Sequence, residues 1–297
     1  MSPGSVEIFT DSVGTEIEFV HRQNGSKVVV VWLSAFTKGP IMGRYTKVSP
    51  RFHGFKISNS IRDLDWILIR DNAGLTGDGT YYGGNSENLF IENAVRELIS
   101  QKKSKYKSTN PEIEFVLMGS FMGGYAAIKF AILTSIPSVF AYSPHLDMEI
   151  AMHHCGRGPW ITHCLSGRDS EEDQKYLRRL QDVVRASGAL PRLVMQVSRN
   201  DPYVYPEQVV PFQALYQKHG GIVELDLREE GGHGSVNAPD GYIEAVVTRL
   251  GNQEKIDFEE LRNFPPRLLS KQEKIERGLQ RIEDGIFSIL RTFRLRK

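Results

Sequence analysis

The chain has 297 residues, 40% of them hydrophobic and 25% charged, with a formal net charge of +1. That length suits one substantial α/β core or two smaller ones, and the near-neutral charge gives no global case for binding nucleic acid or a membrane surface. Two cysteines, Cys155 and Cys164, do not make a disulfide framework.

The opening Met1-Ser2-Pro3-Gly4-Ser5 is short and polar, with no basic segment leading into an apolar one. No apolar run reaches the roughly 18 residues of a membrane span. The expectation is a cytoplasmic protein with no membrane span. Val6 to Thr10 and Ile17 to His21 read as two strands of an antiparallel edge. Asn24-Gly25 is a turn signal leading to Lys27 to Leu33, a continuous β-branched run of the kind buried on both faces of a parallel sheet. Asp65 to Arg70 is a second such run. Asp71 to Asn85 is a glycine-rich loop, expected to form a flexible rim with Asp71 and Asp78 as turn residues. It lacks the lysine and the glycine spacing of either common phosphate-binding motif.

A helical stretch carries Leu89, Ile91, Ala94, Val95, Leu98 and Ile99, and Lys102 to Asn110 reads as a polar connector. Ile113 to Ser120 is a buried strand, and Met122 to Leu133 a helix. Ser138 to Ser143 is a short core strand. Pro144 to Leu190 is less regular, an insertion lying over the sheet and ending in a charged helix from Ser170 to Ala186. Arg192 to Ser198 (strand), Pro206 to His219 (helix), Ile222 to Leu227 (strand) and Gly241 to Leu250 (helix) complete the alternation. Strands alternating with helices argue for a mostly parallel sheet covered on both faces. The expected organisation is a domain over residues 1–251, with a cap insertion at about 144–190, then a C-terminal helical extension over 252–297. Leu268 to Lys297 has helical spacing of apolar residues and a basic end, which suits packing on the body, on a protein partner or on a second copy; weak contact with an anionic membrane or polyanion is the lesser alternative.

The joint between the strand and helix around residue 120 carries the chemistry. Gly119-Ser120-Phe121-Met122-Gly123-Gly124-Tyr125-Ala126-Ala127 resembles the nucleophile elbow of the α/β-hydrolase superfamily, Gly-x-Ser-x-Gly, with Phe121 where the serine stands. The elbow's tight turn requires small residues two positions either side of the nucleophile. Centring on Phe121 puts Gly119 and Gly123 there, whereas centring on Ser120 puts Met118 and Met122 there, so Ser120 is the weaker candidate. The resemblance covers roughly Lys27 to Leu250. It implies an α/β-hydrolase fold, with Asp201 after the strand Arg192 to Ser198 as the acid and His233, in Gly231-Gly232-His233-Gly234, as the base. It also implies an oxyanion hole from the N–H of Met122 and an N–H near Ala35 or Phe36. Phe140 to Pro144 and the Tyr81-Tyr82-Gly83-Gly84 loop are similar to esterase and O-acyltransferase members associated with bacterial surface-polysaccharide genes, which implies a small ester or a glycan as ligand.

Three readings follow. In the first, a degenerate hydrolase has lost its nucleophile and acts by binding. In the second, the chain is an active carboxyl-ester hydrolase or O-acyltransferase in which some other residue or a water makes the attack; for a water, general-base help from His233 and Asp201 is worth about 10²–10⁴-fold. In the third, which overlaps the first, phenylalanine was placed to abolish activity, although alanine is the usual choice. No cofactor is implied. His145, His153, His154, Cys155, His163 and Cys164 cluster in sequence, but their spacing matches no common zinc template, so no metal is expected.

Overall fold

The computed structural model describes residues 5–35, 52–75, 77, 79–154, 157–232 and 240–264. Eight strands form one sheet in the order β1-β2-β4-β3-β5-β6-β7-β8: β1 (Val6–Thr10), β2 (Glu16–Arg22), β3 (Val28–Leu33), β4 (Asp65–Ile69), β5 (Glu114–Ser120), β6 (Ser138–Tyr142), β7 (Arg192–Ser198) and β8 (Val223–Arg228). β1 and β2 are antiparallel, and every pairing from β4 to β8 is parallel. β3 and β4 are buried throughout, as their unbroken apolar sequences require for strands covered on both faces.

Helices α1 (Ile57–Ser60), α2 (Phe90–Thr109), α3 (Met122–Leu133), α4 (Met148–His153), α5 (Gly158–Cys164), α6 (Glu171–Leu177), α7 (Arg179–Ala186), α8 (Val210–Lys218), α9 (Asp240–Gly251) and α10 (Phe258–Arg262) surround the sheet. The alternation of strand side chains divides the core in two. Leu117 and Val31 face α2 and α3, whereas Val116, Met118 and Trp32 face Tyr242, Val246 and Leu250 of α9. Each fully buried aliphatic side chain contributes on the order of 1.5–3 kcal/mol to this core. Packing runs on past Gly251: Leu261 of α10 is buried in the second half, and Arg262 donates to the buried Asp226 carboxylate at 2.7 and 2.9 Å.

Three expectations change. Lys102 to Asn110 is not a connector, because α2 continues to Thr109. Lysine is a good helix former, and this last stretch is held down by buried Tyr106 and by Lys103, whose ammonium donates to the Thr134 and Ser135 carbonyls at 2.9 Å. The single charged helix of the cap is two helices, α6 and α7, meeting at Arg178. The helix after β7 opens with a π turn at Tyr205–Val209, with the Val209 N–H reaching the Val204 carbonyl at 2.8 Å. Pro211, in the next turn, has no N–H to give.

Helices α4 to α7, called the cap, lie between β6 and β7 in the chain. The predicted helix from Leu268 to Lys297 lies outside the described residues, and among those described no helix is long and apolar enough to cross a membrane.

Candidate functional site

The corner between β5 and α3 is built by close backbone contact. A Cβ at Gly119 would lie 2.3 Å from Gly123, one at Gly123 would lie 2.1 Å from the Leu33 carbonyl oxygen, and one at Gly124 would lie 2.8 Å from Pro144. Real Cβ atoms essentially never come so close to another heavy atom, so these glycines are what allow α3 to start hard against the ends of β3 and β5. Between them Phe121 takes φ 49° and ψ −119°. A side-chain-bearing residue held at such angles costs about 1–3 kcal/mol and persists only where its surroundings over-determine it. Here they do: the Phe121 carbonyl accepts from the N–H of Tyr125 and of His145, both at 3.1 Å.

Position 121 therefore sits at the apex of the turn, and its half-buried ring lies 5.7 Å from the His145 imidazole, centroid to centroid. Ser120 follows the strand alternation to the other face of the sheet. It is 2% exposed and pairs in register with Tyr142 of β6, whose phenol its hydroxyl meets in a hydrogen bond. Burial raises that phenol's pKa to about 12, so the partner beside Ser120 is a neutral hydroxyl rather than a base.

His145 entered the sequence reading only as a neighbour of the Cys/His cluster. It is fully buried, and its Nδ1 is hydrogen-bonded to the Tyr81 hydroxyl at 2.9 Å. Tyr81 in turn sets its ring edge-on to Tyr125 of α3 at 5.3 Å. Tyr81 and Tyr82 both have positive φ, 53° and 55°. Three groups hold them there. The Asp71 carboxylate accepts from the Thr80 N–H at 2.5 Å, the Thr80 hydroxyl at 2.9 Å and the Tyr82 N–H at 2.8 Å. The Tyr82 hydroxyl donates to the carbonyls of Ser34 and Ile69 at 2.9 Å. Lys129 of α3 donates to the carbonyls of Tyr81 and Tyr82 at 3.2 and 2.9 Å.

The expectation of a flexible glycine-rich rim is thus corrected for residues 79–84, where the glycines serve close packing. Gly79 leaves room for the Met122 side chain and Gly83 for the Tyr176 ring. Asp71 is a buried organiser of this loop, and burial raises its pKa against the opposing pull of those hydrogen bonds. Asp78 lies outside the described residues.

Lys129 belongs to a buried ionic triad. Its ammonium lies 3.0 Å from Glu92 of α2, and the other oxygen of Glu92 takes Arg179 of α7 at 2.5 Å. Burial alone would raise the Glu92 pKa, but the two cations outweigh it and bring it down to about 2. The triad ties the cap to the helix that begins at Phe121. The Tyr176 hydroxyl of α6 makes a second tie by donating to the Thr80 carbonyl at 2.5 Å. A lysine within the otherwise apolar run Gly124 to Leu133 was the sequence signal that could have exposed this arrangement.

Asp201 lies just beyond the end of β7, 2% exposed, with its carboxylate accepting from the N–H of Val204 at 3.1 Å and of Tyr203 at 3.3 Å. His233 and Phe36 lie outside the described residues. Gly232, which precedes His233, donates its N–H at 2.8 Å to the side chain of Asn200, which precedes Asp201. Ala35 is buried two residues beyond the end of β3, and the intervening Ser34 N–H is committed to the Ile69 carbonyl at 2.9 Å. The close approach of Gly123 to Leu33 and Ser34 brings the Met122 and Ala35 stretches of backbone side by side.

The Cys/His cluster disperses in space. Cys164 is buried with its thiol on the Trp160 carbonyl, His154 stacks on Tyr203, and His145 belongs to the corner. Cys155 lies outside the described residues, and among the described residues no group of three or more His, Cys, Asp or Glu could hold a metal. A surface cleft of about 390 Å³ in the cap, floored by Met152, Leu165 and Leu177, includes neither Phe121 nor His145.

No protein-family model matches the sequence, and no curated protein matches it significantly. Solved structures do match. The capsule O-acetyltransferase of Neisseria meningitidis serogroup A is similar over 82% of this chain and 94% of its own, at 16% identity and TM-score 0.60. An S-formylglutathione hydrolase from Agrobacterium tumefaciens is similar over 83% and 95%, at 14% identity and TM-score 0.54. The acylaminoacyl peptidase of Pyrococcus horikoshii is similar over 88% of this chain but 44% of its own, at 14% identity and TM-score 0.56. At such identities the likeness is one of architecture, and together with the strand order and the β5–α3 corner it establishes that this chain has the α/β-hydrolase fold.

Proposed function

We propose that this chain descends from an esterase or acyltransferase and now binds an ester, acyl or glycan ligand without capturing it covalently, because Phe121 stands in the nucleophile's place. The observation that carries the reading is the corner itself. Phe121 holds the strained apex, φ 49° and ψ −119°, with its ring against His145. The neighbouring hydroxyl, that of Ser120, is spent on Tyr142 across the sheet.

A phenyl ring has no proton to give a base and no alkoxide to form. The rest of the constellation is assigned to the residues in their hydrolase order: Asp201 as the acid, His233 as its imidazole partner, and the Met122 N–H with an N–H of Ala35 or Phe36 as carbonyl-binding donors. The hydrogen bond between Gly232 and Asn200 supports the pairing of His233 with Asp201. The likeness to a capsule O-acetyltransferase is what favours a glycan among the ligands.

A second reading has support in Asp201, which is buried and fixed by two backbone N–H groups as an acid that orients an imidazole would be. In that reading His233 activates a water, which hydrolyses an acyl ester slowly, or activates the hydroxyl of an acceptor, which takes the acyl group and releases the ester's alcohol.

Phe121→Ser tests both. The expected outcome is a gain of p-nitrophenyl acetate turnover in Phe121→Ser that disappears when His233→Ala is added, from a wild type no faster than His233→Ala alone. Wild-type turnover abolished by His233→Ala would put the second reading first. Fluorophosphonate labelling of the wild type that is lost in Ser120→Ala would overturn both.

A further inference from the structure

Beside the corner, at the same end of the sheet, two aromatic rings are laid flat against one another in the open. Tyr203 follows the buried Asp201 by two residues and is itself 41% exposed. Its ring stacks on the exposed His154, at the end of α4, with centroids 4.9 Å apart and planes 13° apart.

The pair is fixed to the corner by one buried side chain. Gln208, 1% exposed, donates from Nε2 to the Tyr203 carbonyl at 3.1 Å. Its Oε1 accepts from the N–H groups of Leu146 and Asp147 at 2.8 and 3.1 Å, directly after His145. The chain of contact runs from the Phe121 ring through His145 and Gln208 to Tyr203, and from Tyr203 to His154. Gln208 therefore ties the loop after β7, which carries Tyr203, to the segment that follows His145 and leads into α4. Tyr203 keeps 41% exposure even though the imidazole covers one face of its ring.

We propose that the stacked Tyr203–His154 pair is a docking platform for a pyranose ring, so that the ligand of this site is a glycan. The proposal rests on the reading of Phe121 as marking a binding site, and it deepens that reading. The face of an aromatic ring carries negative potential and attracts polarised C–H groups. A sugar ring offers a row of axial C–H bonds on one face and hydroxyls around its edge. Here the face of the pair meets the first need, and the phenol and imidazole edges meet the second with donors and acceptors. Tyrosine gives a rigid contact surface at low entropic cost, and the prior stacking on His154 removes most of what remains of that cost.

The test uses the full chain on an array of defined bacterial surface polysaccharides, each printed in O-acetylated and de-O-acetylated form. The wild type is expected to bind at least one of them. Tyr203→Ala should weaken that binding about tenfold, equivalent to 1.4 kcal/mol, and Tyr203→Phe should stay within about threefold because the ring remains. His154→Ala should fall between them. Both side chains are exposed, so the variants should fold, and the melting temperature checks this. Binding of none of the polysaccharides, or Tyr203→Ala binding as well as wild type, would overturn the platform. The hydrolase reading fails separately. If Tyr203→Ala loses the glycan while Phe121→Ser gains no esterase activity, the platform stands and the enzyme ancestry of the site falls. If Phe121→Ser gains activity while Tyr203→Ala binds normally, the reverse holds.

Discussion

Two tyrosine–histidine pairs, one buried and one half-buried, stand at opposite ends of the sheet. At the carboxyl ends of the parallel strands, the Tyr81 hydroxyl meets His145 Nδ1 at 2.9 Å. At the amino ends, the Tyr106 hydroxyl meets His21 Nε2 at 2.8 Å and also the Asp65 carboxylate at 2.9 Å. By hydrogen bonding alone, the second resembles a catalytic relay more closely than the first. What separates them is the backbone. His21 lies on a regular strand and Tyr106 on a regular helix, and Asp65 spends its other oxygen on the N–H groups of Asn24 and Ser26, which closes a turn. Around the first pair, Tyr81, Tyr82, Phe121 and Ser143 all have positive φ. A polar pair on relaxed backbone is explained by the turn it closes. One ringed by four strained residues requires support from elsewhere in the fold, and this protein supplies that support through Asp71, Lys129 and the glycines of the corner. Strain, more than polarity, distinguishes the site from its imitation.

The sharpest way to break this contrast is to remove the support. Lys129→Met would leave the Glu92 carboxylate with Arg179 alone and the carbonyls of Tyr81 and Tyr82 without their cation. Loss of one member of a buried ion pair costs about 3–5 kcal/mol. Urea unfolding should register a loss of that size, with amide exchange rising first at residues 80–84. A cost below about 1 kcal/mol, typical of a surface pair, would mean that the triad does not hold the corner.

Removing one hydroxyl from each pair compares them directly. Tyr106→Phe strips a partner from both His21 and Asp65, and Tyr81→Phe strips one from His145. Each should cost about 1–3 kcal/mol, the range for leaving a buried polar group unsatisfied, and Tyr106→Phe the more because two groups lose a partner. Only Tyr81→Phe should change p-nitrophenyl acetate turnover when combined with Phe121→Ser. Equal effects of the two on that turnover would dissolve the distinction drawn from strain.

Much of this was legible in the sequence, and for identifiable reasons. The strands β3, β4 and β5 are visible because burial on both faces demands unbroken apolar runs, and the corner is visible because only glycine tolerates the contacts at positions 119 and 123. Those two glycines fixed the register that puts Phe121 at the apex and turns Ser120 away. Lys102 to Asn110 misled because it is polar, and what makes it helical is tertiary: one tyrosine packed inward and one lysine reaching the next loop. The glycine-rich loop misled for the opposite reason. Glycine allows both freedom and close approach, and only the positions of Met122 and Tyr176 decide between them. His145, Glu92, Lys129 and Arg179 are far apart in the chain, and no local spacing announces that they converge.

The smallest effect belongs to the relaxed pair. Burial first, and then the nearby Lys102 ammonium, lower the His21 pKa from 6.5 to about 4, against the opposing pull of Asp65. The folded state therefore binds this proton less readily than the unfolded chain does. A group whose pKa is depressed by folding contributes stability above its unfolded value and loses it as the pH falls, so the loss from His21 should run from about pH 6.5 down to about 4. One proton sets a ceiling of about 1.4 kcal/mol per pH unit, and partial exposure of the ring to solvent reduces it. Carboxylates titrate near the lower end of that range, so the useful quantity is the difference between wild type and His21→Gln. Urea unfolding at pH 6.5, 5.5 and 4.5 should show the wild type losing stability faster than the variant between the first two values, where carboxylates contribute least. Parallel declines would mean that His21 stays readily protonated in the folded protein, and that the amino-end pair is looser than its 2.8 Å hydrogen bond implies.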